Sequence, residues 1–563
     1  MTSHHPLLGA YAAKTCARAV HNDHDVTMGA LRGLPAVDLS PRLEAGRAFD
    51  VEVRTAMAAT LGADLLDLTD AGLSRSELVQ ATLDALDAGT AVVAGGQLPD
   101  DLSGRRRGRP DLLVRVAAGG YAPVEIKGHK ALRDNGRTTA ALSWAPRLDP
   151  THREEAPGVS VIGSADDLIQ LAHYRRMLEA CGHACDEPLA GVIGTDCLAD
   201  GIRIAWSDLS DERFLTFSRS EGSARRSALT RYDHEFAFRL AVLDVAASRT
   251  GTDADAPPLV APVWQEACGG CVWHDACRAE LDGTLAVELL PTALDVREWT
   301  ALRAVGFETP EDFAGLSLDD PRLDPYWVEV THRADPRGRL QKVIDRADMV
   351  LAGERVRRTR SGPVAVPRGV VEVDFDIEWT TDERVYLWGL LITRPGQEPV
   401  FEPIVSWDLL DDAAESDLAR RVVERFLQLR AEAAALGGDL RIYHYTRAEI
   451  AQLTRIASRG DADGLTVESL QDSLADFVDL YDVVKSEFVG TRGLGLKVIA
   501  TYGAGFTWRD DDPGGLQSQQ WWVDAVQGST PQARDAARSR VLEYNEDDVL
   551  ATWHLRRWLA TLA

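Results

Sequence analysis

Long apolar runs are missing from this chain. No stretch approaches the roughly 18 consecutive apolar residues that span a bilayer, and the first residues lack the charged-then-apolar pattern of a secretory leader. A membrane-spanning or secreted protein is therefore not expected, and the cytoplasm is the expected compartment. Cysteine is scarce, with seven in 563 residues at uneven spacing, which excludes a disulfide scaffold. Basic residues are outnumbered, 61 lysines and arginines against 88 acids, for a net charge of −27. That balance excludes a broadly basic surface coating nucleic acid, so any basic groove must be local. The phosphate-binding pattern G-x-x-x-x-G-K-[ST] is absent, which removes the obvious ATPase motor, and no repeat recurs at a solenoid period. What is present is an ordinary composition, 45% apolar and 26% charged, on a chain long enough for two or three domains.

Residues 109–127 read R-P-D-L-L-V-R-V-A-A-G-G-Y-A-P-V-E-I-K. Two β-prone runs, 112–116 and 122–126, flank the turn signal Gly119-Gly120 and predict a hairpin. Symmetric folding about Gly119 sets Asp111 opposite Lys127 and Leu113 opposite Glu125. Alternation of side chains then puts Asp111, Glu125 and Lys127 on one face. Two carboxylates and an ammonium converging there can hold a divalent cation and leave a lysine to orient water or offset charge on phosphorus. A surface hairpin with charges on its wet side is the plainer reading. Just upstream, the arginine run 105–107 with Arg109 could grip a phosphate backbone, or form a mobile charged loop.

Residues 44–61 predict a helix that carries Asp50 as a candidate inward carboxylate, against the alternative of solvated helix charge. After a Pro/Gly-bearing loop at 145–163, residues 166–180 have a helical period. Leu168, Leu171 and Met177 face the core there, and Gln170 and Tyr174, four apart, share a face. Strands are expected at 191–197 and 203–206, and a long helix at 225–247. E-A-C-G-G-C-V-W-H-D-A-C then gives Cys268-x2-Cys271-x5-Cys277. Three close thiols are a ligand signal that spacing alone does not assign to zinc or to iron–sulfur. Cys16, at a loop-to-helix opening, is the natural fourth ligand and His274 the spare.

The joint order P-D-x13-E-x-K, Q-x3-Y on a following helix, and C-x2-C-x5-C with a lone upstream cysteine resembles the RecB-like branch of the PD-(D/E)xK nucleases. Its cluster-containing members, among them the AddB and CRISPR-adaptation nucleases, are similar, and the resemblance covers about residues 10–285. It implies that Asp111 and Glu125 are metal ligands and Lys127 the catalytic lysine, with Gln170 and Tyr174 positioning substrate and active site. It also implies that Cys16, Cys268, Cys271 and Cys277 bind a [4Fe–4S] cluster tying the two ends of the domain together. The family usually has His or Glu where this helix offers Asp50, so the third metal contact is Asp50 or Glu52.

Residues 293–350 predict a helical insert. Within it, 300–316 reads as a helix, a turn at Gly306, and a second helix with Thr309 as N-cap and Pro310 at its first position. This resembles a helix–hairpin–helix element, whose turn amides can hold a DNA phosphate; a plain packing connector has the same pattern. The Arg-, Gly- and Pro-rich stretch 353–369 is the expected linker. In V-V-E-V-D-F-D-I-E-W (370–379) Val371, Val373, Phe375 and Ile377 face one way and Glu372, Asp374, Asp376 and Glu378 the other. Four carboxylates on one strand face repel one another unless solvent or cations neutralise them. Residues 440–450 run from a strand into a helix bearing Glu449, and 544–559 predict a helix with Tyr544 and Asp548 one turn apart.

Together these elements resemble the DEDD exonucleases of the RNase H-like fold, over about 368–563. The resemblance implies that Asp376, Glu378, Glu449 and Asp548 supply four acids to two metal ions and that Tyr544 holds the attacking water. Tyr445 stands where Asn is common and Glu449 where Asp is usual, so the second motif departs from the pattern. Both halves on one chain are similar to a family of bacterial RecB-like nucleases with a fused RNase H-like C-terminal domain. The implied fold is α/β: a restriction-endonuclease-like PD-(D/E)xK domain (1–285), a helical connector (286–367) and an RNase H-like domain (368–563). The implied activity is Mg²⁺- or Mn²⁺-dependent hydrolysis of nucleic acid at two sites, DNA favoured, on single strands or ends, in repair, recombination or defence. A helicase or repair protein is the implied partner, with no membrane involved. Competing readings are a nucleic-acid-binding scaffold with a degenerate C-terminal site and a zinc-stabilised RNA-processing nuclease.

Overall fold

The computed structural model describes residues 6–37, 39–198, 201–218, 222–380, 383–460, 465–509 and 515–563. The chain divides into two compact units. The first comprises Met1–Asp282, Leu294–Gly306 and Pro321–Pro336, and the second Gly283–Ala293, Phe307–Asp320 and Arg337–Ala563. The stretch expected to be helical does form Val296–Ala304, Pro310–Phe313, Asp324–Glu329 and Pro336–Leu351. Thr309 caps Pro310–Phe313 with Pro310 at its start, and Gly306 adopts φ +86°. The helices on either side of Gly306, however, fall in different units.

In the first unit, eight strands make one mixed sheet. Their order is Leu65–Asp67, Val92–Ala94, Leu112–Arg115, Tyr121–Ile126, Leu189–Ile193, Arg203–Asp208, Leu132–Trp144 and Glu154–Val161. Tyr121–Ile126 and Leu189–Ile193 run parallel, so the chain must cross over between them. The crossover contains the helix Ala165–Cys181, which packs on both strands and stops at Gly182, left-handed at φ +78°. This helix is buried nearly all round: Asp167, Gln170, His173 and Arg175 are buried along with Leu168, Leu171 and Met177. Polar groups enclosed in this way need partners, and they mark where a site is built.

The hairpin forms with a different register from the symmetric one. Leu112 pairs with Val124 and Leu113 with Pro123, which carries on to Asp111 opposite Glu125 rather than Lys127. The loop is closed by Gly119 N–H donating to the Val116 carbonyl and Val116 N–H to that of Gly120. Gly119 and Gly120, at φ +117° and +73°, therefore lie on its downstream side instead of at its centre. The slip is by two partners, so the pleat keeps both carboxylates on one face. Elsewhere the expected 191–197 strand ends at Ile193, and 225–247 begins as the strand Gly222–Arg226 before Ser227 caps the helix Ala228–Ala247.

The second unit holds five strands in the order Val400–Val405, Val385–Thr393, Val371–Trp379, Leu440–His444 and Phe477–Asp479. The first three are antiparallel, and the last two join in parallel. The helix Asp412–Ala435 covers one face, where Phe375 meets Phe426 and stacks near Trp388, all at most 2% exposed. Each such side chain contributes on the order of 2–3 kcal/mol when fully buried. The helix Pro531–Leu559 covers the other face and is joined there by Gly515–Gln527 and Leu496–Tyr502. The acidic face of Val371–Trp379 is thus not a wet edge. The 353–369 stretch is not a free linker either, since Val356–Arg358 pairs with Phe488–Gly490. Among the described residues no helix is long and apolar enough to cross a membrane.

Candidate functional site

The helix Pro531–Leu559 opens at Thr530, whose hydroxyl accepts from Ala533 N–H, with Pro531 at the first position. Steps of four place Tyr544, Asp548, Thr552 and Arg556 on one stripe, which lies along the acidic face of Val371–Trp379. At one end Arg556 donates to Asp374 at 2.8 and 2.9 Å and to Glu372 at 2.6 Å. Arg368 and the Tyr443 hydroxyl complete the surroundings of Glu372. Burial pushes the Asp374 carboxyl up to about 6 against the pull of Arg556.

At the other end, Asp376, Glu378 and Asp548 each offer an oxygen within 4.8 Å of the other two. Their hydrogen-bond donors are neutral: Asn545 Nδ2 to Asp376 at 2.8 Å, Ser518 Oγ to Glu378 at 2.6 Å, and Trp508 Nε1 to Asp548 at 2.8 Å. Asn545 reaches Asp376 because the residue opposite it in the sheet is Gly389, where a Cβ would lie 1.7 Å from Asn545 Oδ1. Burial, with the repulsion of Asp548, pushes the Glu378 carboxyl up to about 8. Burial chiefly raises Asp548 to about 6. Asp376 is pushed well above the carboxylate range by burial and by Asp548, Glu378 and Glu449. Desolvated like charges on this scale fit a cation site.

Glu449 lies in the first turn of the helix Ala448–Ala457, which a short turn joins to the strand Leu440–His444. It stays outside the group of three, although its charge is felt at Asp376. Its Oε2 is buried with no hydrogen-bond donor, and His444 Nδ1 lies 3.4 Å away. The turn before it holds Thr446, a β-branched residue, at φ +77°, a strained conformation of the kind that clusters at functional sites. Tyr544 is buried, and its phenol is pushed far up by burial and the nearby carboxylates. Lys497 Nζ donates to its hydroxyl at 3.4 Å.

The first unit holds a second cluster. Asp111 Oδ2 accepts from Ile126 N–H at 2.8 Å, and Asp111 N–H donates to Glu125 at 3.4 Å. Lys127 Nζ donates to Glu125 at 2.9 Å and to Gln170 Oε1 at 3.0 Å, while Gln170 Nε2 donates to Glu125 at 2.7 Å and to the Tyr174 hydroxyl at 3.5 Å. Burial and the charge of Glu125 raise the Asp111 carboxyl. Asp111, Glu125, Lys127, Gln170 and Tyr174 therefore meet. Asp50 is near enough to act on Asp111 but is ion-paired to Arg54 at 3.0 Å, and Glu52 is exposed. Unlike at the other cluster, a lysine here bonds an acid directly, and Lys14 adds a further donor to Gln170 Oε1 at 2.9 Å. The arginine run upstream is spent internally. Arg105 pairs with Asp244, Arg106 with Asp101, and Arg109 donates to the carbonyls of Gly95, Leu68 and Thr69, which leaves Arg107 half exposed.

Cys16 sits at the N-cap of Ala17–His24, and its charge is felt at Cys268, Cys271 and Cys277. The four sulfurs are not gathered within 4.8 Å of one another, as tetrahedral zinc at Zn–S of about 2.3 Å would require. Backbone N–H groups of Gln265 and Trp273 donate to Cys268 and Cys271 at 3.4 Å each. His274 is turned to Asp275.

The sequence reading missed Ser518, Trp508, Lys497 and Lys14, which carry no local motif. Asn545 and Arg556 were within reach, since both lie on the expected helix at spacings that return to the Asp548 stripe. Compared with known proteins, residues 373–560 match the family model RNase_H_2, of the RNase H superfamily. No curated protein and no solved structure matches the chain. The match starts in the acidic strand and ends just beyond the helix bearing Tyr544 and Asp548. The chain carries a C-terminal RNase H-like domain, which points to a metal-dependent nuclease.

Proposed function

We propose that the protein is a metal-dependent nuclease with two active sites, one in each unit, that hydrolyses phosphodiester bonds of nucleic acid, DNA in preference. The observation that carries this reading is the Asp376–Glu378–Asp548 group, three carboxylates within 4.8 Å whose hydrogen-bond donors are all neutral. A divalent cation removes the cost of that arrangement. Asp376, Glu378 and Asp548 would hold it, with Glu449, whose buried Oε2 lacks a donor, as the fourth acid. Bound Mg²⁺ or Mn²⁺ would supply the Lewis acidity that activates water and offsets charge on the leaving oxygen. The chain's own contribution is to exclude bulk water around the acids and to hold the attacking water at the Tyr544 hydroxyl, one helical turn from Asp548. Resemblance to the DEDD exonucleases supports 3′→5′ polarity for this site.

In the first unit, Asp111 and Glu125, with Asp50 nearby, would hold metal. Lys127 would orient water or meet charge on the phosphate, while Gln170 and Tyr174 keep Glu125 and Lys127 in place. Cys16, Cys268, Cys271 and Cys277 would bind a structural [4Fe–4S] cluster. An iron–sulfur cube is wider than one ion, and amide N–H groups aimed at two of the sulfurs suit thiolate ligands. Single strands or free ends are the substrates, delivered by a helicase or repair partner.

The test is cleavage of end-labelled single- and double-stranded DNA with Mn²⁺, comparing wild type, Lys127→Ala, Asp376→Ala and the double variant, with RNA as competitor. Each single variant should remove a distinct product set, and Lys127→Ala should leave the absorbance of anaerobically purified protein intact. If Asp376→Ala changes nothing, the second unit is a binding module; if wild type binds DNA without cutting it, the chain is a scaffold.

A further inference from the structure

Lys497 is the cation nearest the chemistry of the second unit that no motif singles out. It lies on the helix Leu496–Tyr502, partly exposed, and forms no ion pair among the described residues. Its ammonium donates to the Tyr544 hydroxyl at 3.4 Å and stands 5.4 Å from the centre of that ring. Asp548 lies one helical turn from Tyr544, the phenol and Lys497 both favour its ionised form, and Lys497 does the same for Glu378. Elsewhere on the same strand face the basic group is Arg556, bound fast to Glu372 and Asp374. At this end the basic group is tied to a phenol instead, with donors to spare.

We infer that Lys497 is a positioning residue of the metal-dependent site. By donating to the Tyr544 oxygen, it directs the phenol's own proton toward Asp548 and fixes the hydroxyl where the attacking water is held. An ammonium donates three hydrogens and accepts none. The hydrogen-bond sense along Lys497, Tyr544 and Asp548 therefore has only one direction, and a hydroxyl that would otherwise rotate is locked. The inference rests on the nuclease reading of the second unit.

A lysine next to three acids also opposes a divalent cation by simple repulsion. That sign separates positioning from support of the fold. In full-length protein, Lys497→Met should bind Mn²⁺ more tightly than wild type by calorimetry, because one positive charge has gone. Its kcat on a single-stranded oligonucleotide should nevertheless fall ~10–100-fold, with KM held within about twofold. Lys497→Arg, which keeps both charge and donor, should recover most of kcat and the wild-type Mn²⁺ affinity. Weakened Mn²⁺ binding in Lys497→Met, or an unchanged kcat, overturns the inference while leaving the nuclease reading intact. If wild-type Mn²⁺ binding proves indifferent to Asp376→Ala, the reading of the site fails, and the inference with it.

Discussion

Glu372 and Asp374 share a strand face with Asp376 and Glu378 just beyond them, and one helix covers all four. By alternation the two pairs are equivalent, acidic residues at every second position. Arg556 closes the first pair with three hydrogen bonds, whereas Asn545 and Ser518 serve the second pair without bringing any charge. A buried carboxylate is tolerated when its charge is compensated within the fold. The end without such compensation is the one suited to take a cation from outside. The cluster of the first unit lies between these extremes, because Lys127 and Lys14 already sit among its acids and amides.

The two pairs differ most at Arg556. Arg556→Met leaves the buried Asp374 without its partner and Glu372 with only Arg368 and Tyr443, and should cost the second unit about 3–5 kcal/mol, read as a fall in the denaturant midpoint of metal-free protein. Asp376→Asn, on the same face, should raise that midpoint by removing a repelling charge, and should abolish Mn²⁺ binding. Equal losses from both changes would show that the two pairs of acids do not differ in how their charge is compensated.

Acid and alkali should separate the two units. His173 in the first unit donates from Nε2 to the Arg107 carbonyl at 3.0 Å and accepts at Nδ1 from the Tyr232 hydroxyl at 2.8 Å, so it is held neutral. Burial lowers it to about 4 from 6.5. The unfolded chain then binds the extra proton first, and stability falls as pH drops from 6.5 through 4, by about 3 kcal/mol in all. His173→Gln should flatten that slope in pH-dependent hydrogen exchange. In the second unit Glu378 and Asp548 titrate near 8 and 6, above their ordinary 4.5 and 3.8. There the native form keeps protons that the unfolded chain has lost. This stability is complete at low pH and disappears as pH rises through 6 and 8, and Mn²⁺ should restore it at the alkaline end.

The smallest effects are expected at the neutral donors Ser518 and Trp508. Ser518→Ala or Trp508→Phe removes one neutral donor to a carboxylate of the Asp376–Glu378–Asp548 group and should weaken Mn²⁺ binding by ~10-fold in a calorimetric titration, with no change in the Arg556 end. A loss of stability as large as that of Arg556→Met would show that these donors support the fold instead.

Where the chain's chemistry is periodic, it could be read directly. Alternation along 370–379 assigned the acidic face, and four-residue spacing joined Tyr544 to Asp548. Hairpin propensity brought Asp111 and Glu125 to one face even though the register slipped, because a slip by two preserves the pleat. The arginine run 105–109 misled, since a local cluster of charge does not tell which arginines will find carbonyls and carboxylates in their own unit. The 353–369 stretch misled in a related way: composition rich in Arg, Gly and Pro suggested a linker, but a strand partner some 130 residues away took up Val356–Arg358.

Local pattern set most of the elements, their faces and the line of acids along Val371–Trp379. Only the tertiary structure decided which of those acids would be neutralised. Arg556 lies 182 residues from Asp374, and Ser518 lies 140 from Glu378. Period and propensity act over a few residues. The charge state of a buried carboxylate depends on whichever group the fold brings within hydrogen-bonding distance, and no local pattern encodes that choice.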